Sequence, residues 1–290
     1  MGVAIPILLV VLLAGPVAAF PIRTRDPGTG IFSGSAAVGR LVFNEASGGG
    51  ADVSTLMVPA AVLYSPTTNS AFGIELPYVE RRLSTAVGSD VTRGAGDLML
   101  LGRYKFFSRP AAGRWDQASA QLGLSVPTGA TDRHLRLAVP APVRRALQPG
   151  TGTTDVIFDV AGGRFTTRYN LAGNVSYRRR NGGGSVQLGD ELTASADGEL
   201  FLLPHRTRAR GFELLSLLEL SYVHRERTGF DGRAVRDSGG DELLLAPGLQ
   251  WIATERFLLE VSIQLPLFQA INGDQPTLDH SVLAGFRFVY

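Results

Sequence analysis

The chain has 290 residues, with 28 basic against 26 acidic side chains, a formal net charge of +2 and no cysteine. Bases spread along the whole chain at so small a net charge leave no electrostatic footprint for nucleic acid. Without thiols there are no disulfides, thiol nucleophiles or thiolate metal sites, so the fold holds by packing and hydrogen bonding alone.

In chain order, an apolar run closing on Val17-Ala18-Ala19 before Phe20 predicts a cleaved signal peptide over 1–19, with 20–290 as one exported domain. Its n-region carries no Lys or Arg, a departure from the usual pattern. Beyond Phe20 no run approaches the roughly eighteen apolar residues of a membrane helix, so any crossing falls to strands. Period-two segments then recur, separated by Gly, Pro, Asn, Asp and Ser clusters. They lie near Phe32 to Phe43, Val53 to Tyr64, Ala71 to Arg81, Leu98 to Phe106, Gln117 to Val126, Asp155 to Ala161, Tyr169 to Arg178, Val186 to Ala196, Phe212 to Arg225, Leu243 to Ile252, Phe257 to Leu265 and Leu283 to Tyr290. The spacing predicts about twelve antiparallel strands.

Each segment carries an apolar and a polar stripe. Leu98, Leu100, Tyr104 and Phe106 oppose Asp97, Arg103 and Lys105, and Leu214, Leu218, Leu220 and Tyr222 oppose Glu213, Glu219 and Ser221. A soluble barrel with its apolar face inside alternates too. Mid-strand charges such as Glu219 and Glu260 argue against that, because an apolar core would bury them at several kcal/mol each unless paired, whereas a wet lumen removes the cost. Aromatics near the ends of the apolar faces fit interfacial girdles. Short connectors near 65–69, 108–116, 164–166, 204–210 and 253–255 alternate with longer ones near 44–52, 83–93, 129–151, 227–240 and 268–279, as periplasmic turns alternate with external loops. The chain therefore reads as an all-β transmembrane barrel of the bacterial outer membrane. Phe286, Phe288 and Tyr290 share one face of the last strand and are expected to face lipid. Such a strand also looks like the signal taken up by the outer-membrane assembly machinery.

Four segments, "GAGDLMLLGRYKFF" (94–107), "LGLSVPTG" (122–129), "GTGTTDVIFDVAGG" (150–163) and "LAPGLQWIATERFLLEVSIQLPLFQAINGDQ" (245–275), resemble the outer-membrane proteins assigned as transporters of the MetA pathway of phenol degradation. The resemblance implies a porin-like barrel linked to uptake of aromatic or other hydrophobic compounds, with no residue-level site to carry over.

Catalysis and metal binding find little support in the residues. His134, His205, His224 and His280 stand apart, without metal-ligand spacing. Asp231, Asp237, Asp241 and Glu242 share one loop but lack calcium-loop spacing, and a solvated acidic loop is the plainer reading. Gly-rich stretches lack the ending of a phosphate loop. His224 points outward in the predicted register, as in lipid-hydrolysing barrels, yet Glu226 stands where a neighbouring serine would be needed. The expected role is thus a non-enzymatic, cofactor-free, porin-like channel for small apolar or aromatic solutes. A lipid-acting barrel enzyme and a closed structural barrel are the alternatives. Predicted pore-lining residues are Glu75, Arg103, Lys105, Asp155, Asp159, Arg168, Arg178, Glu213, Glu219, Arg225, Arg256, Glu260 and Arg287. Expected partners are outer-membrane lipid, lipopolysaccharide, the assembly machinery and the solute, with no nucleic acid. The 129–151 connector, with Arg133, Arg136, Arg144 and Arg145, is a candidate gate or a lipopolysaccharide contact. The piece 21–30 is a candidate plug.

Overall fold

The computed structural model describes residues 36–182, 185–203, 213–254 and 256–289. The expected signal peptide at 1–19, the candidate plug at 21–30, the 204–210 turn and Tyr290 lie outside them.

Sixteen strands and one short helix occur among the described residues. In chain order the strands are β1 (Ala36–Gly48), β2 (Ala51–Tyr64), β3 (Ser70–Thr85), β4 (Gly88–Ala95), β5 (Leu98–Ala111) and β6 (Arg114–Val126). After the helix α1 (Ala141–Ala146) come β7 (Asp155–Thr166), β8 (Tyr169–Arg180), β9 (Val186–Gln187), β10 (Glu191–Leu203) and β11 (Glu213–Arg225). The last five are β12 (Gly229–Phe230), β13 (Arg233–Ala234), β14 (Gly240–Ile252), β15 (Phe257–Ile271) and β16 (Thr277–Val289). Twelve of them form one closed antiparallel ring, β1-β2-β3-β5-β6-β7-β8-β10-β11-β14-β15-β16, shut by the pairing of Ala36 with Val289 through to Ser47 with Thr277. Closure pairs every long strand on both sides, the condition for strands to cross hydrocarbon. β9, β12 and β13 make a small separate sheet among the external loops.

Alternation sorts the side chains as the sequence predicts. On β7, Asp155, Ile157, Asp159 and Ala161 are buried inside while Phe158 and Val160 are exposed outside. On β11, Glu213, Leu215, Leu217, Glu219, Ser221 and Val223 are buried, and Leu218, Leu220 and Tyr222 are exposed. The outer stripe ends in aromatics at both rims. Tyr64, Phe72, Tyr104, Tyr169, Trp251 and Phe288 lie at the rim of the strand ends, and Tyr78, Tyr177, Tyr222 and Phe268 lie toward the other. Phe286 lies outside as well, its ring over Gly39 and 6.4 Å from that of Phe257. Tyr177 donates its hydroxyl to Asp190 at 2.5 Å, and Tyr222 donates to Asp241, fixing the girdle to polar groups just beyond the apolar band.

Two connectors differ from expectation. The 44–52 and 83–93 segments are tight hairpins, turning at 49–50 and 86–87, because the ladders of β1–β2 and β3–β4 run on past the membrane band. Beyond Tyr78 the outer face of β3 turns polar at Glu80 and Arg82, so the β3–β4 hairpin stands in the external aqueous layer.

Leu218 sits at the middle of β11 on the lipid side. Leu218→Arg is expected to cost about 2–4 kcal/mol, read as a shift in reversible urea unfolding from phospholipid vesicles.

Candidate functional site: the inner face of the barrel

The inner stripes of adjoining strands place polar side chains in register, so belts of hydrogen bonds run around the wall. Toward the external mouth, Arg180 Nη2 reaches Glu191 Oε2 at 3.4 Å, Arg225 Nε donates to the same oxygen at 2.9 Å, and Arg225 Nη1 reaches Glu242. This Arg–Glu–Arg–Glu ladder links β8, β10, β11 and β14. Below it, Arg103 donates to Gln121 at 2.8 and 3.1 Å, Gln121 is paired in register with Asp159, and Asn174 Nδ2 donates to Asp159 at 2.8 Å. Ser221 donates to Glu219 at 2.7 Å and lies 2.8 Å from Ser195 Oγ. Toward the periplasmic end Asn170 donates to Glu199 at 2.6 Å, Gln250 to Glu260 at 3.2 Å, and the Lys105 ammonium stands 5.3 Å above the Trp115 ring.

Most predicted residues take their expected face. Glu75, Lys105, Asp155, Asp159, Glu213 and Glu219 are buried on the inner stripe, and Arg103, Arg178, Arg225, Glu260 and Arg287 lie on the same stripe, partly buried. They spread along the height of the wall and do not meet at one point. Arg168 is a correction. It occupies the two-residue turn between β7 and β8 and is exposed, since the β7–β8 ladder stops at Phe165 and Asn170. Arg256 likewise falls in the turn before β15 and is exposed.

Apolar side chains share the lumen. Val42, Met57 and Val79 pack with Leu283 on one arc, and Leu215, Ile252 and Leu258 pack with Phe201 on another. The inner face is therefore amphipathic around its circumference.

The 127–154 connector is seated on the inner side of the β3–β4 hairpin, where the barrel opens outward. Leu135 and Leu147 are buried against Leu83, Asp90 accepts the backbone N–H groups of Arg136 and Leu137, Arg81 donates to the Gln148 carbonyl, and Thr92 donates to that of Leu147. At its base the Asp97 carboxylate accepts Gly129 N–H at 2.9 Å and both Thr151 N–H, at 2.7 Å, and Thr151 Oγ1, at 2.6 Å. Backbones nearly touch there. A Cβ on Gly129 would lie 2.6 Å from Gly96 C and 2.7 Å from Gly150 Cα, so only glycine fits. Three of the glycine-bearing segments quoted above thus converge on one carboxylate. Sequence reasoning placed Asp97 on the polar stripe but missed its clamp, because the donors lie 32 and 54 positions away.

The outward His224 sets Nδ1 2.8 Å from Asp241. Its register partners are Leu192 and Asp241, and the nearby Ser221 faces the lumen, so among the described residues no serine is set for the dyad to activate. The acidic loop residues diverge: Asp241 points out to Tyr222, Glu242 in to Arg225, and Asp237 accepts Asp274 N–H at 3.1 Å.

No family model matches the chain, and no curated protein matches it. Solved structures do. An outer-membrane channel from Pseudomonas putida F1 superposes with a TM-score of 0.69 at 16% identity, over 89% of this chain and 96% of that one. The β domain of the Bordetella autotransporter BrkA gives 0.51 at 12% identity, over 89% and 100%. The chain thus has the fold of a bacterial outer-membrane β-barrel.

Two outcomes follow from the clamp and ladder. Asp97→Ala strands the Gly129 and Thr151 donors and is expected to cost on the order of 2–3 kcal/mol; loop 127–154 becomes cleavable by limited proteolysis while the barrel stays resistant. The Leu137 and Arg136 N–H groups hold the Asp90 carboxyl below the usual carboxylate range. A depressed folded pKa means that this contribution is full above the unfolded value and is lost as pH falls through the folded one. Protection factors of the Arg136 and Leu137 amides, taken against the intrinsic exchange rate at each pH, should stay high at neutral pH and fall only in acid below the ordinary aspartate range.

Proposed function

We propose that the protein is a passive outer-membrane channel for small apolar or aromatic solutes. The observation that carries this reading is a closed twelve-strand ring with a mixed-charge stripe on its inner face. Charges of both signs lining a water-containing passage are tolerable where an apolar core would expel them. The apolar arcs around Met57 and Leu215 support a solute with substantial apolar surface, and the structural likeness to the P. putida channel supports a channel role. The resemblance to transporters of the phenol-degradation pathway extends the proposal to aromatic compounds. In this reading Glu75, Arg103, Lys105, Asp155, Asp159, Glu213, Glu219, Glu260 and Arg287 line the path. A signal peptide over 1–19 would direct export, and the assembly machinery would engage β16 through its outer Phe286 and Phe288. Lipid hydrolysis is disfavoured because, among the described residues, the nearby Ser221 faces the lumen, away from the outward His224.

Planar-bilayer recordings of the purified protein are expected to show discrete conductance steps, and Arg103→Glu or Glu219→Arg to change ion selectivity. Silent bilayers together with unchanged liposome swelling would leave a closed structural barrel. A gene deletion should slow growth on aromatic carbon sources and spare growth on succinate.

A further inference from the structure

The free edge of β4 carries a feature that solute passage does not use. Among the described strands β4 pairs with β3 alone; at the base of its far edge Ala130 N–H donates to Ala95 O at 3.1 Å, and beyond that the edge borders an open pocket of about 470 Å³ whose lining includes Tyr78, Val91, Arg93, Gly94, Arg133 and His134. Its height is set by β3. Phe72, Ile74, Leu76 and Tyr78 form the outward apolar stripe, and Glu80 and Arg82 continue it beyond the hydrocarbon. The pocket therefore starts at the boundary of the outer leaflet and rises into the headgroup layer.

Its cationic groups come from two separate segments. Arg93 projects from the outer face of β4, directly opposite Glu80, with Arg82 further along that face. Arg133 comes from the seated connector, where its backbone N–H donates to Gln148 Oε1 at 2.7 Å and its carbonyl accepts Gln148 Nε2 at 3.1 Å. Gln148 is buried, so the backbone of Arg133 is fixed before any ligand arrives. The guanidinium lies along Gly94, with Nη2 3.2 Å from where a Cβ would stand. His134 adds an imidazole on the same wall, and Tyr78 and Val91 supply an apolar floor.

Two guanidinium groups bordering one open pocket, Arg93 from the outer face of β4 and Arg133 from the connector on its inner side, suit a phosphate carried on a lipid, because planar forks bind phosphate oxygens bidentately while Tyr78 and Val91 beside Arg93 take apolar surface. We propose that this pocket binds the phosphorylated sugar headgroup of an outer-leaflet glycolipid. The level of Tyr78 favours a lipid-borne phosphate over free phosphate, which would gain nothing from lying at the hydrocarbon boundary. Glu80 offsets one charge and leaves the cluster cationic.

The test uses the purified full barrel in detergent, with diphosphoryl lipid A as probe and native mass spectrometry or a thermal shift as readout. Arg93→Ala and Arg133→Ala should each weaken lipid A binding about tenfold, the loss of one charge-assisted contact. Gly94→Val, which displaces the Arg133 guanidinium, should reproduce part of that loss. Arg109→Ala, which removes an exposed arginine at the opposite, periplasmic end of β5, should bind like the parent. Folding of every variant is checked by its heat-modifiable migration in gels. A folded Arg93→Ala/Arg133→Ala double variant that binds lipid A as tightly as the parent overturns the proposal. Inorganic phosphate at millimolar concentration displacing lipid A completely would overturn the lipid assignment and leave a site for free anions. Bilayer conductance is measured on the same variants, so a failure here is distinct from a failure of the channel reading.

Discussion

Backbone pairing in hydrocarbon is the constraint on which the structure depends. A strand in a bilayer finds no water for its N–H and C=O groups, so every spanning strand needs a partner on each side. The β1–β16 seam meets that demand by joining the two ends of the strand series, with Ala36 opposite Val289. Closure also fixes everything else, since with strict alternation a closed ring has one face for lipid and one for the lumen. The inner charges of β7, β10 and β11 are consequences of that geometry. They are carried as ladders because neighbouring stripes stand in register.

The interior ladders have a definite energetic character. Glu191 serves two arginines, and Arg225 serves two glutamates, so the two middle charges of the ladder each have opposite neighbours on both sides. Removing one member of such a chain strands the rest, which costs far more than the pair contributes on its own. Such a wall is rigid and still polar. The apolar arcs around Met57 and Leu215 interrupt it, so a passing solute meets both kinds of surface.

At the external rim the wall changes construction. Above Gly96 the β3–β4 hairpin rises beside the β1–β2 hairpin, while β6 ends at Val126 and β7 begins at Asp155, and the connector between them fills the step. Asp97 ties both ends of that connector to the wall, and Asp90, Arg81 and Thr92 hold its middle. A long external segment is thereby held as part of the mouth. The same seating presents Arg133 beside Arg93 at the edge of β4, at the level where lipid headgroups begin.

The strand count, the two stripes, the lipid-facing side and the inward placement of Glu75, Arg103, Lys105, Asp159 and Glu219 were all legible in the sequence. Each follows from period-two alternation, which is local. Hairpin lengths at 49–50 and 86–87 were not, because Gly, Ser and Asp occur both in turns and in strands that stand in water. Arg168 continues the alternation of β8 by one step, and only the ladder shows that pairing has already stopped at Asn170. The Asp97 clamp, the Arg180–Glu191–Arg225–Glu242 ladder and the Arg93–Arg133 pocket were decided by tertiary structure alone. Each joins residues tens of positions apart, and their proximity depends on ring closure and on how the 127–154 connector settles, neither of which any single stretch of sequence encodes.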